Sequence, residues 1–227
     1  MAGLSTATAA SSHQVEPARP RLRGVSHGIA FFLAVPAGVA LALEAHTGTG
    51  RLAAIVYGST VAFMFAVSGI YHRVNWRGAG RLVMRRIDHA GIYALIAGSY
   101  TPVGLLVLHG AWQIVVLSIV WTGAAAAILL KVFWVAAPKW LAAAIAVPLG
   151  WVAVIVLPQL ATRVGIVACV LVVLGGLAYT AGALVYVFRR PDPAPKVFGY
   201  HEIFHALVIL AVCLQYTSFA VYVLPDH

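Results

Sequence analysis

Residues 164–188 read VGIVACVLVVLGGLAYTAGALVYVF and include no charged side chain. A transmembrane α-helix needs roughly 20 predominantly apolar residues to cross the hydrocarbon core of a bilayer. A soluble protein must cover its surface with polar groups, and a run of this length leaves no polar face for that purpose. The stretch therefore predicts a helix that spans a membrane.

Six further apolar runs of spanning length lie on either side of this stretch. In chain order the predicted spans are 26–45, 52–73, 86–108, 110–131, 139–157, 164–188 and 201–224. The connections between them are short and contain glycine and proline residues, as turns do. The predicted fold class is therefore all-α, a polytopic membrane protein with seven transmembrane helices, and residues 21–227 are expected to form this one domain.

Residues 1–20 differ from the rest because they are rich in alanine, serine and threonine. They lack the basic start and the apolar run of a secretory signal, so we interpret them as a disordered N-terminal tail. The first transmembrane helix is then expected to target the chain to the membrane.

The composition agrees with a membrane protein and argues against a nucleic-acid-binding one. The chain is 62% hydrophobic and only 9% charged, whereas soluble domains carry about 25% charged residues. The net charge of +9 comes from Arg and Lys residues that lie between the apolar runs and form no basic face. Cys169 and Cys213 lie inside apolar runs without a CxxC spacing, so neither a disulfide framework nor a thiolate metal site is indicated.

The basic residues are distributed unequally between the two sets of loops. One set contains Arg19, Arg21 and Arg23 before the first span, Arg73, Arg77, Arg81, Arg85 and Arg86 after the second, Lys131 and Lys139 after the fourth, and Arg189, Arg190 and Lys196 after the sixth. The other set contains only Arg51 and Arg163. Because cytoplasmic loops carry the excess of Lys and Arg, this pattern predicts a cytoplasmic N-terminus and an external C-terminus.

Three polar motifs lie at the ends of predicted spans, where ionisable residues are costly and call for an explanation. Ser68 and His72 end the second span, Asp88 begins the third, and His201 and His205 begin the seventh. Since consecutive spans cross the membrane in opposite directions, all three motifs are predicted at one depth, near the cytoplasmic face. They are therefore candidates for a single site.

The residue types of this candidate site are those of a catalytic zinc centre. His201 and His205 are four residues apart, which puts both rings on one face of a helix. With His72 they make three imidazoles, and three protein ligands with one open position are typical of catalytic zinc. Asp88 would lie beside the ion and bind its water, and Ser68 would hold the same water or Asp88.

Some of these residues also have plain structural interpretations. Ser68 can bond back to the carbonyl four residues earlier, a common arrangement for serine in a span. Asp88 can pair with Arg85 or Arg81 at the membrane surface. Glu202 is expected to face that surface and to complement the N-terminus of its helix.

The other histidines are weaker candidates. His27 begins the first span on the cytoplasmic side and is a secondary candidate for touching the site. His89 points about 100° away from Asp88 on a helix, so it is expected to bond a neighbour or to face the headgroups. His46, His109 and His227 receive no role, because a lone histidine at a helix end is usually an interfacial residue.

The motifs resemble those of the bacterial hemolysin III proteins, which are similar to the progestin and adipoQ receptors and to the alkaline ceramidases. The matching residues are Ser68-x-x-x-His72, Asp88-His89-Ala90-Gly91-Ile92-Tyr93 continuing to Gly98-Ser99-Tyr100-Thr101-Pro102, and His201-x-x-x-His205. The resemblance covers about residues 20–225, which is the whole membrane core.

This resemblance implies a seven-helix fold with a cytoplasmic N-terminus in the plasma (inner) membrane of a bacterium. It implies a zinc ion bound by His72, His201 and His205, with Asp88 and Ser68 at the positions of the family's catalytic Asp and Ser. The family name comes from hemolytic activity attributed to some members, but the sequence contains no secretion signal and no amphipathic insertion segment.

Two classes of function follow for such a protein. The first is a zinc-dependent hydrolase of lipid amides or esters, with membrane lipids as surroundings and a lipid-like substrate. The second is a non-enzymatic membrane protein, either a channel or cytolysin or a metal-stabilised sensor. The open zinc position favours the first. A polar stripe through the bilayer would favour the second, and spans four, five and six carry almost no ionisable residue at mid-depth.

Overall fold

A computed structural model describes residues 20–226. Of the predicted N-terminal tail, residues 1–20, only residue 20 belongs to the described part. Within this part the chain is helical, without a β-strand. The helices are α1 Val25–Glu44, α2 Gly48–Arg73, α3 Gly78–Pro102, α4 Ala111–Phe133, α5 Lys139–Trp151, α6 Ala153–Arg163, α7 Ile166–Phe188 and α8 Tyr200–Ser218. Short π-helical segments, Val103–Val107 and Phe219–Val223, continue α3 and α8.

The prediction of seven membrane-spanning helices is confirmed. Seven helical segments within residues 20–226 are long and apolar enough to cross a membrane, with α5 and α6 counting together as one span, Lys139–Arg163. The predicted boundaries differ most at α3, which begins at Gly78 and not at residue 86. Its first two turns carry arginines, so hydropathy alone gives too late a start. A helix can continue past the hydrocarbon core because its backbone hydrogen bonds are made internally.

The fifth span is broken at Val152, between α5 and α6. The break lies between two prolines, Pro148 and Pro158, and a proline disturbs the helix on its N-terminal side because it has no N–H and its ring displaces the carbonyl four residues earlier. The Tyr100 hydroxyl of α3 lies at this break: it donates to the carbonyl of Gly150 at 2.5 Å and accepts from the N–H of Ala153 at 2.6 Å. Backbone groups freed at membrane depth are thereby satisfied by a neighbouring helix, as a bilayer requires.

Glycines allow α1 and α2 to approach each other closely. A Cβ atom added to Gly58 would lie 2.9 Å from the Cα of Gly38, and one added to Gly69 would lie 3.1 Å from the Cα of Gly28. Small residues permit such backbone contact between membrane helices, which pack without a hydrophobic driving force. This packing holds the beginning of α1 beside the end of α2.

The apolar side chains divide between the interior of the bundle and its outer surface. The interior includes Leu41, Tyr57 and Leu160, each at most 2% exposed. Many equally large side chains face outward, among them Leu43 at 77% and Phe133 at 82% exposed. In water this surface would be unfavourable, whereas lipid tails are a suitable solvent for it.

Candidate metal centre

The structure brings the three predicted metal ligands together at one end of the bundle. His72 lies in the last turn of α2, and His201 and His205 lie in the first two turns of α8. One ring nitrogen from each comes within 4.8 Å of those of the other two. The Nε2 atoms of His72 and His201 are 3.1 Å apart. These three residues can therefore hold a metal ion.

The donor set and its geometry fit a divalent ion such as zinc. Two nitrogen ligands of a tetrahedral zinc, each about 2.0–2.1 Å from the metal, are about 3.3 Å apart, close to the separation of His72 and His201. The Nδ1 atom of His205 is buried and has no hydrogen-bond partner within residues 20–226. A buried unsatisfied nitrogen costs about 1–3 kcal/mol, a cost that a bound cation near the ring would help to offset.

Asp88, from α3, lies next to the three imidazoles. Its Oδ2 is 3.9 Å from the Nε2 of His72, and its side chain is only 13% exposed. The distance is too long for a hydrogen bond and is compatible with a small ligand between the two groups. Within residues 20–226 no ion pair links Asp88 to Arg85, one of the two arginines considered as its partner at the membrane surface.

Ser68 connects this carboxylate to α1. The serine is 4% exposed, its Oγ is 2.9 Å from the Nδ1 of His27, and it lies beside Asp88. Its hydroxyl therefore bonds across to α1. The alternative interpretation, a bond back to the carbonyl four residues earlier, is not needed to satisfy it.

His27, only a secondary candidate by its sequence position, lies inside the site. Its ring is 2% exposed and stacks on that of His205, with centroids 3.7 Å apart and planes 5° from parallel. Its Nε2 is 3.3 Å from the backbone oxygen of His205. A carbonyl can only accept, so Nε2 carries a proton and the Nδ1 of the neutral ring accepts from Ser68. Both nitrogens are thus engaged, and His27 positions its neighbours without being a ligand. The sequence did indicate that His27 could belong to the site, because it is predicted at the same cytoplasmic depth as the other motifs.

The residues immediately before α1, Arg23 and Gly24, pack against the site. Glu202 is 2% exposed and accepts from the guanidinium of Arg23 and from the N–H of Gly199, at 2.8 Å for the latter. The expectation that Glu202 faces the membrane surface is wrong, because Arg23 pairs with it inside the protein. Its predicted role at the N-terminus of its helix is observed. Gly24 has a φ of +77°, and a Cβ there would lie 2.6 Å from the Cβ of His72.

A cavity of about 590 Å³ extends from this cluster through the bundle. His72, His201, His205 and Asp88 line one end of it, and residues near the opposite end of α8, such as Ser218 and Val223, line the other. Leu95, Val156, Leu157, Val172 and Val208 are among the apolar side chains of its walls. A volume of this size is typical of small-molecule sites, and the apolar walls suit an acyl chain.

Comparison with known proteins agrees with the motifs. Residues 15–216 match the model of the family described as Haemolysin-III related. The chain is 28% identical over 204 residues to the protein named Hemolysin-3 of Bacillus cereus, a match that covers 88% of this chain and 90% of the relative. It is 29% identical over 188 residues to the Hemolysin-3 homolog of Bacillus subtilis (strain 168), covering 82% and 85% respectively.

No solved structure matches the chain significantly. The family match nevertheless extends over all of the first six spans and most of the seventh, and it includes every residue of the histidine cluster. On this evidence the chain is a multi-pass membrane protein that belongs to the haemolysin-III related family.

Proposed function

We propose that the protein is a zinc-dependent hydrolase of lipid amides or esters. The observation that carries the proposal is the position of three imidazoles and a carboxylate at one end of a large apolar cavity. A zinc ion held by His72, His201 and His205 would polarise a substrate carbonyl and lower the pKa of a bound water to about 7.

The side chains around the histidines suit the proton transfers of such a hydrolysis. Asp88 lies where it can accept a proton from the attacking water at a carboxylate oxygen and return it to the leaving amine or alcohol. Ser68 touches Asp88 and is held by His27, so it can orient the carboxylate or the substrate carbonyl. The apolar cavity would bind the acyl chain and exclude water from its length.

The second candidate is a non-enzymatic membrane protein of the channel or cytolysin type. The names of the two Bacillus relatives favour it, because one is called a hemolysin and the other a homolog of that hemolysin. Against it, the walls of the cavity between the two ends of the bundle are largely apolar, whereas a conducting pathway for ions needs polar groups along its course.

One assay separates the two candidates. Purified protein in liposomes is incubated with a panel of fluorescent ceramides and acyl esters while the release of an enclosed dye is followed. We expect slow acyl hydrolysis that a zinc chelator abolishes and that added zinc restores, without dye release. Dye release without hydrolysis of any member of the panel would reject the hydrolase.

We also propose that the cluster faces the cytoplasm, in the plasma (inner) membrane of a bacterium, with the N-terminus inside and the C-terminus outside. The proposal rests on the excess of arginine around the connection from α2 to α3, which includes the end of α2 and the first turns of α3. In a background without Cys169 and Cys213, Asn75→Cys in that connection should resist an impermeant thiol reagent in intact cells. His46→Cys, in the exposed connection between α1 and α2, should react. The reverse labelling pattern would put the cluster on the outside.

A further inference from the structure

Lys131 is a lysine near a membrane surface that does not reach out to solvent. It lies in the last turn of α4, is 2% exposed and lines the cavity. No hydrogen bond or ion pair to it is present within residues 20–226. Lysines near the ends of spans usually extend their ammonium group to the headgroups. An enclosed ammonium without a partner is costly, so its position calls for a ligand.

Three further nitrogen-bearing side chains line the same part of the cavity. Arg85 and His89 come from α3 and Lys139 from the start of α5, and His89 lies within electrostatic range of both lysines and of Arg85. The Nδ1 of His89 is buried and has no hydrogen-bond partner among residues 20–226. Helices α3, α4 and α5 thus each contribute a cationic side chain to one small region.

Lys139 is held in place by aromatic rings. Its Nζ donates to the hydroxyl of Tyr200 at 3.1 Å and lies 4.2 Å from the ring centroid of Tyr186. Such cation–π contacts fix the direction of the ammonium without neutralising it. The lysine therefore keeps its charge and its remaining donors for a ligand.

The carboxylates at this end of the described chain do not balance these cations. Glu202 is paired with Arg23, and Asp88 faces His72 and Ser68. Asp192 is exposed, accepts from the N–H of Tyr200 and does not line the cavity. No ion pair links Arg85, Lys131 or Lys139 to a carboxylate in residues 20–226. Cations grouped in this way repel one another unless an anion lies between them.

We propose that Arg85, Lys131 and Lys139, together with His89, form a binding site for a phosphate group at the mouth of the cavity. A phosphate carries about two negative charges and three acceptor oxygens, which match three cations from three helices. The phosphate is either free inorganic phosphate or the headgroup of a phosphorylated amphiphile whose acyl chain lies in the cavity. The proposal concerns binding and holds whether or not the histidine cluster is hydrolytic.

The test uses the full chain in nanodiscs of neutral lipid, treated with a chelator so that phosphate cannot bind a metal. Binding of inorganic phosphate, of a monoacyl glycerol phosphate and of the monoacylglycerol with the same acyl chain is measured by calorimetry and by the shift in melting temperature. We expect the phosphorylated lipid to bind and the monoacylglycerol to bind at least about tenfold more weakly, since the neutral headgroup cannot form charge-assisted hydrogen bonds with the three cations. Binding by inorganic phosphate as well would identify the free anion as a sufficient ligand.

Lys131→Met is the decisive variant, and Lys196→Met is its control, because Lys196 is an exposed lysine at the same end and does not line this cavity. We expect Lys131→Met to weaken phosphate-dependent binding about tenfold or more, while Lys196→Met binds as the wild type does. Without ligand, Lys131→Met should melt no lower than the wild type, because it removes an uncompensated buried charge.

Arg85→Gln gives a second measurement if Lys131→Met does not fold, and it should weaken binding in the same direction. Equal binding of the phosphorylated and neutral lipids, or equal binding by Lys131→Met and Lys196→Met, would overturn the proposal.

Discussion

His205→Ala is expected to lose the metal and to melt at a clearly lower temperature than the wild type. The cluster joins the end of α2 to the beginning of α8, which are separated by more than a hundred residues in the sequence. An ion that binds only the folded protein raises the free energy of unfolding. The increase grows with the logarithm of the ratio of the ion concentration to Kd, and it is about 4 kcal/mol when the concentration is a thousand times Kd. Elemental analysis of the purified wild type should find about one zinc per chain, and the variant should contain almost none.

Two further measurements distinguish the effect of losing the metal from the effect of losing the imidazole ring of His205. His205 also stacks on His27, so its removal leaves a gap apart from any effect on the ion. Chelation should lower the melting temperature of the wild type and leave that of His205→Ala unchanged. His89→Ala is the matched control, since His89 is a histidine at the same end that lies outside the cluster. A full zinc content in His205→Ala would mean that the ion binds elsewhere.

The seven spans could be predicted from the sequence because hydropathy is a property of consecutive residues. The start of α3 was predicted eight residues too late, since the hydrophobic pattern ends where the arginines begin but the helix does not. The break between α5 and α6 was not predicted either. Pro148 was visible in the sequence, but the hydroxyl of Tyr100 that satisfies the break comes from another helix.

That the histidines lie at one depth in the membrane could be predicted, because successive spans run in opposite directions. The end of α2 and the beginnings of α3 and α8 therefore lie on the same side. Which residues face one another could not be predicted. The position of His27 depends on the close approach of α1 and α2 through Gly28 and Gly69, which a single sequence does not reveal. Glu202 was expected at the membrane surface because its partner, Arg23, lies about 180 residues away.

Asp88→Asn is expected to abolish hydrolysis while leaving the zinc content unchanged. Asparagine has nearly the same size and can still contact Ser68, but it cannot accept a proton from water. Loss of a general base typically slows a reaction by about a hundredfold to ten-thousandfold. The ion depends on the three imidazoles, so the variant should retain metal, whereas His72→Ala should lose both metal and turnover.

Glu44→Gln is the matched control for Asp88→Asn, because it removes a carboxylate at the far end of α1 and should leave turnover and zinc content at wild-type levels. The competing hypothesis, a pore, predicts dye release from liposomes that persists in Asp88→Asn, since that function requires no proton transfer. Near wild-type hydrolysis by the variant would exclude Asp88 as the base. Loss of zinc together with activity would instead identify the carboxylate as a fourth ligand. Four protein ligands are typical of structural zinc, so this result would favour the sensor or the pore over the enzyme.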